Sequence, residues 1–406
     1  MGVFQAPLNG SGTTLVCRSR SEWDSCSALG ADSVGLDVRG PVLQSADASK
    51  LANLVGDGLQ ELFLGVLGTH PVESEDNGFD QGIISIITAL PCSLRVLDLS
   101  GQFSGPAAVE ALAKSHAQLT TLDVSFNRLT TASLDQILQA PCCGSLSTLR
   151  TGWNALQSMP QLPATLANLW IGSNPLVVGP ATGSLDTVVA PRVPPAGLHV
   201  LPLGSAKHVD ISYVLLGPSD LAHLHSVLFR EGSAAFLDVT SCDLGDQRAA
   251  RLVRDGVKFE SIAASLNALT ELPSWVQGTL GSLSFLQLSH NELSDRDALA
   301  IASGCGDKLR HLDLGVNGIG DTGFEAVARQ FTRWTELEYL FLRSNIASDK
   351  GVSAVAESMS CLDELVELHV CWNLTTSDST IAVAQVVAGM MKRPGSKLQL
   401  VDLFGP

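Results

Sequence analysis

Residues 309–331 read LRHLDLGVNGIGDTGFEAVARQF, and this segment decides the fold because most of the chain repeats its pattern. The following repeat starts at Leu337 with LEYLFLRSNI and continues with ASDKGVSAVAESM. In both segments the leucines of L-x-x-L-x-L alternate with other residues, as they do on a strand whose successive side chains point to opposite faces. The pattern predicts a short strand with inward leucines, a turn at an asparagine, and then a helix.

The phrase L-x-x-L-x-L-x-x-N-x-L recurs along the chain, and weaker copies fill the intervals between the clear ones. Most copies start 19 to 28 residues after the preceding copy. Such a period is typical of a solenoid, in which each repeat packs only on its neighbours. The copies start at residues 33, 59, 94, 119, 146, 166, 185, 206, 234, 259, 283, 309, 337, 365 and 398.

An asparagine stands at the same phase of eight repeats, where the chain leaves the predicted strand. At this turn the backbone would otherwise bury unpaired polar groups, and an amide side chain can both donate and accept hydrogen bonds. We therefore predict that each asparagine bonds to the backbone of a neighbouring turn. The eight are Asn127, Asn154, Asn174, Asn267, Asn291, Asn317, Asn345 and Asn373.

Two kinds of connection follow the predicted strands. Most read as helices, because a Ser, Asp or Gly precedes apolar residues spaced three and four apart. Between residues 150 and 206 the repeats shorten and carry eight prolines. Proline is excluded from helix interiors, so these connections are predicted to be extended or polyproline-like. The predicted helices include 105–115, 246–255, 321–331, 348–359 and 377–391.

The amino-acid composition argues against some classes of function. The 406 residues include 25 Lys and Arg against 41 Asp and Glu, a formal net charge of -16. Binding to nucleic-acid phosphates needs the opposite surplus, so we expect no nucleic-acid partner. The 62 leucines and the low aromatic content of 5% predict an aliphatic core. No apolar run approaches the roughly 20 residues of a membrane-spanning helix, so no span is predicted.

These motifs resemble the leucine-rich-repeat family. The C-terminal repeats, with a strand, an Asn turn and a G-D-x-G or S-D-K-G entry into an Ala-rich helix, are similar to its ribonuclease-inhibitor-like class. The segment MPQLPATLANLWIGSNPL at 159–176 looks more like the short Pro-containing repeats of other members. The resemblance implies an α/β solenoid shaped as a horseshoe, with a parallel β-sheet on the concave face and helices or extended segments on the convex face.

The domain prediction follows from the repeats. Residues 1–32 are predicted to form an N-terminal cap and first strand, and residues 33–403 one continuous solenoid of about fourteen repeats. This solenoid includes the short Pro-rich repeats at 150–206, and no separate catalytic domain is predicted. Members of the family serve as enzyme inhibitors, small-GTPase activators, innate sensors and axonemal or cytoskeletal scaffolds, so the fold alone does not select a function.

The sequence lacks the motifs of common active sites. It contains no GxxxxGK[ST] phosphate loop, no HExxH and no CxxC pair, so we predict no catalytic residue, no metal site, no cofactor and no enzymatic activity. The aspartates of the strand phrase have two possible interpretations. We favour the first, in which each aspartate is a common residue of this repeat and is exposed to solvent. In the second, the aspartates of neighbouring strands form a cation site or an acidic clamp. They are Asp37, Asp98, Asp123, Asp210, Asp238, Asp313 and Asp402.

Aromatic and arginine side chains at outward positions of the predicted strands mark a candidate binding surface. Trp, Tyr and Arg are the residues that most often anchor protein interfaces. The alternative is that the rings only cover the strand backbone. The predicted partner-binding residues on the concave face are Arg150, Trp153, Trp170, His311, Tyr339, Phe341, Arg343, His369 and Trp372.

We predict a non-enzymatic scaffold or adaptor that binds a protein on its concave face, as a subunit of a larger assembly. The acidic stretch THPVESEDNGFDQG at 69–82 indicates a basic partner, unless it is only a solvated loop.

Two alternatives stay open. One is a GTPase-activating protein of the Ran type, although the sequence stops at Pro406 without the long acidic tail usual in that family. The other is an axonemal, flagellar or mitochondrial-complex structural subunit. Nine cysteines without zinc or redox spacing are typical of a reducing compartment. We therefore predict a cytoplasmic protein, with the cilium or flagellum and the mitochondrion as alternatives.

Overall fold

The repeated leucine phrase forms short parallel strands, and the chain that carries them divides into two units. The first unit contains residues 1–188 with 200–202, and the second contains 189–199 with 203–406. The computed structural model describes residues 13–17, 19–26, 33–39, 47–55, 58–65, 79–102, 105–177, 184–228, 235–253 and 256–403.

Within each unit the strands pair in parallel and in chain order. The first unit has β1 Thr13–Val16, β2 Ser33–Asp37, β3 Glu61–Phe63, β4 Val96–Asp98, β5 Thr121–Asp123, β6 Thr148–Arg150 and β7 Asn168–Trp170. Strand β8, Thr187–Val189, spans the point in the sequence where the units divide. The second unit has β9 His208–Asp210, β10 Phe236–Asp238, β11 Ser261–Ala263, β12 Phe285–Gln287, β13 His311–Asp313, β14 Tyr339–Phe341, β15 Glu367–His369 and β16 Leu400–Asp402.

Helices form most of the connections, and the five predicted helices are confirmed with small differences at their ends. The helices of the first unit are α1 Arg20–Ser25, α2 Asp47–Leu54, α3 Phe79–Thr88, α4 Pro106–Ala113 and α5 Thr131–Leu138. Those of the second unit are α6 Pro195–Leu198, α7 Pro218–Val227, α8 Gly245–Leu252, α9 Ser274–Gln277, α10 Asp295–Gly304, α11 Asp321–Ala328, α12 Asp349–Ser358 and α13 Ser377–Met391. Single 3-10 turns lie at Pro141–Cys143, Leu280–Ser282 and Met359–Cys361.

The core of each unit is built on the central residue of each strand from β3 to β15. In β12, β13 and β14 this residue is Leu286, Leu312 or Leu340, and none of the three retains exposed surface. Burying a leucine side chain contributes roughly 1.5 to 3 kcal/mol, and every repeat adds a comparable contribution. The predicted aliphatic core and the α/β fold class are therefore confirmed.

The Pro-rich stretch departs from its prediction at one point. Residues 151–167 and 171–177 contain no helix, as predicted. Pro195, however, begins the four-residue helix α6, so the prediction of extended or polyproline-like connections is wrong there. Proline is tolerated at the first helical position because its missing N–H would have no acceptor within the helix and its fixed φ suits the helix.

The asparagine prediction is confirmed at all eight positions. Asn291 is representative: its Nδ2 donates to the carbonyl oxygens of Ala264 at 3.1 Å and Leu288 at 3.0 Å. Its Oδ1 accepts the N–H of Leu269 at 3.1 Å. Each asparagine donates in the same way to a carbonyl of the preceding repeat. We call these residues the asparagine ladder.

A cysteine takes the ladder position in one repeat that lacks the asparagine. Cys242 is fully buried, and its Sγ lies 3.2 Å from the carbonyl oxygen of Ile211 in the preceding repeat. Its own N–H donates to Oδ1 of Asn267 at 3.0 Å. A thiol is a weaker donor than an amide, but the Cys242 side chain occupies the same position and contacts a carbonyl of the preceding repeat. This role of Cys242 was not predicted from the sequence.

Aspartates join the starts of successive helices in the second unit. Oδ1 of Asp295 accepts the N–H of Gly320 at 2.7 Å and of Gly323 at 2.9 Å. Asp321 does the same for Gly351 at 2.9 Å. A Cβ added to Gly323 would lie only 2.8 Å from Asp295 Oδ1. The G-D-x-G and S-D-K-G signature therefore reflects this close approach of each helix start to the preceding helix.

Replacing Asn291 with Ala tests the ladder. The change leaves buried carbonyl and N–H groups of two repeats without partners, so we expect a loss of about 3 kcal/mol in unfolding free energy. Urea unfolding followed by circular dichroism measures it. Glu292→Ala, at the exposed neighbouring position, is the matched control and should change stability little. Equal stability of the two variants would show that the ladder bonds are dispensable.

Candidate functional site

Aromatic rings from four adjacent strands meet on the sheet of the second unit. The ring centroids of Phe285 and His311 are 4.3 Å apart. His311 is 5.5 Å from Tyr339 and 5.3 Å from Phe341. Phe341 in turn lies 4.7 Å from His369. We call Phe285, His311, Tyr339, Phe341 and His369 the ring cluster.

Strand register brings these rings together. His311 pairs with Tyr339, and Phe341 pairs with His369, across neighbouring strands. Because paired residues on parallel strands stand about 4.8 Å apart, their side chains reach stacking distance. The central leucine of each strand points inward, so the residues on either side of it point to the open face. All five rings are half-buried.

The two histidines contribute to the cluster mainly through their aromatic rings. Burial lowers the pKa of His311 to about 4, so this imidazole is neutral at neutral pH. Neither ring nitrogen of His369 hydrogen-bonds to a described residue. Carboxylate oxygens of Glu367 and Asp402 lie 3.7 Å from the His369 nitrogens. The cluster therefore presents a largely apolar aromatic surface with acidic groups at its edge.

Two predicted residues of the second unit follow strands of the cluster in sequence. Arg343 follows β14 and is half-buried, and its positive charge acts on the carboxylate of Asp313. Trp372 lies on the turn after β15 with a φ of 58°, and 55% of its surface is exposed. The assignment of these residues to a partner-binding surface stays a prediction.

The predicted residues of the first unit form two ring contacts. The Arg150 guanidinium carbon lies 4.3 Å from the centroid of the Trp170 ring, and burial lowers the pKa of this arginine. Trp153 stacks on Phe126 at 5.7 Å with an interplanar angle of 13°. The structure thus joins Arg150 to Trp170, and it adds Phe126, which the sequence analysis missed.

Three further rings of the second unit were also missed. Phe285 belongs to the ring cluster, and His208 stacks on Phe236 with centroids 4.7 Å apart. All three occupy the first position of their strands, as His311 and Tyr339 do. Their shared position in the repeat phrase could have identified them as open-face residues, because a given position of the phrase always lies on the same face of the strand.

Three of the seven strand aspartates do not fit the interpretation that we favoured. Asp98, Asp123 and Asp313 are buried, so the interpretation as a solvated filler is wrong for them. Asp98 accepts the N–H of Ser100 at 2.9 Å. The same bond, from the residue two positions later, recurs at the other two. A carboxylate at the end of the strand caps the turn, because its oxygen reaches the N–H two residues on.

Neighbouring aspartates differ in how their charge is compensated. Burial, with Asp98 next to it, raises the pKa of Asp123 to about 6. On the same face Arg39 contacts Asp37 at 2.6 Å and Asp98 at 3.7 Å.

In the second unit, burial followed by the charge of Asp210 raises the pKa of Asp238 to about 6. Burial also raises the pKa of Asp210. Within the described part of the chain, neither of these two carboxylates forms an ion pair.

Among the described residues, no group of three or more His, Cys, Asp or Glu side chains could hold a metal ion. None of the described helices is both long and apolar enough to cross a bilayer. The acidic stretch at 69–82, on which the expectation of a basic partner was based, lies mostly outside the described residues.

A family profile agrees with the repeat pattern over two repeats of the second unit. The Leucine Rich repeat family profile matches residues 282–302 and 308–328. A similar solved structure is a leucine-rich-repeat protein of Leptospira interrogans, 16% identical, with a TM-score of 0.45 and 93% of each chain covered. An internalin of Listeria monocytogenes is 16% identical, with a TM-score of 0.43 and coverage of 87% of this chain and 88% of that one.

The Arabidopsis receptor kinase HAESA, solved with a peptide hormone and a co-receptor, is 16% identical. Its TM-score is 0.38, over 89% of this chain and 64% of that chain. No curated protein sequence matches the chain. The matched profile is that of the general repeat, so membership of the ribonuclease-inhibitor-like class stays a prediction.

Asp238→Asn tests the cost of the uncompensated carboxylate. The pKa of Asp238 lies above its ordinary value of 3.8, so the folded state binds this proton more tightly than the unfolded chain. Stability therefore falls as the pH rises from about 4 to about 6. The variant should gain roughly 2 kcal/mol at pH 7.5 and nothing at pH 4.

Thermal unfolding at both pH values measures this difference. Asp307→Asn, which removes an exposed carboxylate, is the control. A gain that does not depend on pH would argue against a charge effect at Asp238.

Proposed function

Because this chain is a leucine-rich-repeat protein, we propose that it is a non-enzymatic scaffold or adaptor that binds a protein partner on the open face of its sheet. Leucine-rich-repeat scaffolds are in general protein-interaction modules. The observation that carries the proposal is the ring cluster, a continuous aromatic surface across β12 to β15.

The geometry of the cluster supports a binding role. Four strands at about 4.8 Å spacing give a surface roughly 14 Å wide. Its rings pack against one another, stacked at Phe285 and His311 and tilted or edge-to-face at the other contacts. Little side-chain entropy therefore remains to be lost when a partner covers them. Aromatic side chains also contribute large contact areas to interfaces.

Polar groups at the border of the cluster support the same conclusion. Carboxylate oxygens of Glu367 and Asp402 lie 3.7 Å from the nitrogens of His369. Arg343 follows strand β14 of the cluster. Protein interfaces commonly place such groups around an apolar centre, where they set orientation and specificity. The excess of negative charge makes a nucleic acid an unsuitable partner for this face.

Location and assembly are further parts of the proposal. We place the protein in the cytoplasm as a subunit of a larger assembly. All nine cysteines are free thiols, which fits a reducing compartment. Imaging of the tagged full-length chain tests this, and a signal in cilia or mitochondria would favour the alternative locations.

The double variant Tyr339→Ala/Phe341→Ala tests the proposed surface. The tagged chain and the variant are used to capture proteins from cells, and recovered partners are quantified by mass spectrometry. Loss of two central rings should reduce specific capture at least tenfold, since interface anchors contribute about 2 kcal/mol each.

Leu299→Ala is the matched control. Leu299 is an exposed apolar residue on α10, away from the strands, so its removal should leave capture unchanged. Undiminished capture by the folded double variant would refute the proposed surface. Recovery of a small GTPase, with stimulated GTP hydrolysis, would favour the Ran-type alternative. Recovery of axonemal or mitochondrial-complex proteins would favour a structural subunit.

A further inference from the structure

We propose that the partner presents basic side chains beside apolar ones, in a segment that runs across strands β9 to β14 of the second unit. This inference rests on the proposed function and specifies the chemistry of the partner. Its basis is the arrangement of two kinds of side chain in parallel rows on the same strand face.

The first row consists of rings at the first position of β9, β10, β12, β13 and β14, and the second consists of carboxylates at the third position of β9, β10 and β13. Strand β11 contributes to neither row. The two positions are about 6.6 Å apart along a strand, and both point to the open face because the residue between them points inward. The ring row contains His208, Phe236, Phe285, His311 and Tyr339, and the carboxylate row contains Asp210, Asp238 and Asp313.

The charge of the carboxylate row is compensated unevenly. Asp210 and Asp238 are paired across β9 and β10, so their carboxylates are neighbours. Each accepts the N–H two residues later, from Ser212 at 2.9 Å and from Thr240 at 2.8 Å. As noted above, neither has an ion-pair partner in the described part of the chain.

The first unit offers an internal comparison. There Arg39 stands among the strand aspartates and contacts Asp37 and Asp98. A half-buried carboxylate pair without such a cation loses hydration and gains no attraction in return. A basic side chain of a partner would supply both a counter-charge and hydrogen-bond donors at this point.

The neighbouring rings favour the same occupant. His208 and Phe236 stack beside the two carboxylates, and a guanidinium or ammonium group is attracted to the face of an aromatic ring. At the other end of the carboxylate row, Arg343 already acts on Asp313. We therefore place the basic contacts of the partner at β9 and β10 and its apolar contacts at the ring cluster.

A peptide library tests the inference. Random twelve-residue peptides displayed on phage are selected on the immobilised full chain, and the enriched peptides are synthesised for Kd measurement. We expect enrichment of Arg or Lys together with aromatic or aliphatic residues. For the selected peptides, Asp210→Asn/Asp238→Asn should weaken binding at least about tenfold. Asparagine keeps the oxygen that accepts the backbone N–H, so the turns are preserved.

Asp307→Asn/Glu357→Gln is the matched control. It removes the same formal charge from two exposed positions outside the strands, so it measures the effect of net charge alone and should change Kd little. Selected peptides without a basic excess would overturn the inference. Equal weakening by the two double variants would overturn it as well.

The variant Tyr339→Ala/Phe341→Ala distinguishes a failure of the proposed binding surface from a failure of the proposed basic partner. Peptides that bind through these rings but show no dependence on Asp210 and Asp238 would leave the proposed surface intact and refute the basic partner. If no selected peptide depends on the rings, both the surface and the basic partner are refuted.

Discussion

The hydrogen bonds of the asparagine ladder are the constraint on which the rest of the structure depends. The chain turns away directly after each short strand, and the turn buries carbonyl groups that the sheet does not pair. A ladder amide joins these carbonyls to the turn of the preceding repeat. The residue before it adopts a left-handed φ even where this is unfavourable for a β-branched side chain, as at Val316 with 54°. Such strain persists because the surrounding hydrogen bonds leave the turn no other conformation.

The ladder also determines what the open face can do. The ladder aligns successive turns, and this alignment keeps neighbouring strands in the same register. Residues at the same position of successive repeats therefore form a row across the sheet. His311 and Tyr339 are 28 residues apart in sequence and adjacent in space. The same register places Asp210 beside Asp238. One face therefore combines a cluster of packed rings with carboxylates that burial has partly removed from water. In our proposal a partner compensates the negative charge of Asp210 and Asp238.

Much of the fold was predictable because it depends on local patterns. The leucines identified the strands, and the caps and apolar spacing identified helices such as α11 to α13. Pro195 was misjudged because proline ends a helix at most positions but can begin one. Cys242 was missed because a thiol does not resemble an amide in sequence, although it reaches the same carbonyl. The candidate surface was predicted in part: His311, Tyr339, Phe341 and His369 meet as one cluster, whereas Phe285 was overlooked.

The sequence by itself determined the repeat, the inward leucines, the ladder and the side chains that share a face, since all of these follow from spacing along the chain. Only the tertiary structure decided which rings stack and which carboxylates are buried. It also decided that Arg39 compensates Asp98 while no described cation pairs with Asp238. The physical reason is that stacking and desolvation depend on distances between residues of different repeats. Those distances exist only after parallel pairing has brought the repeats into register.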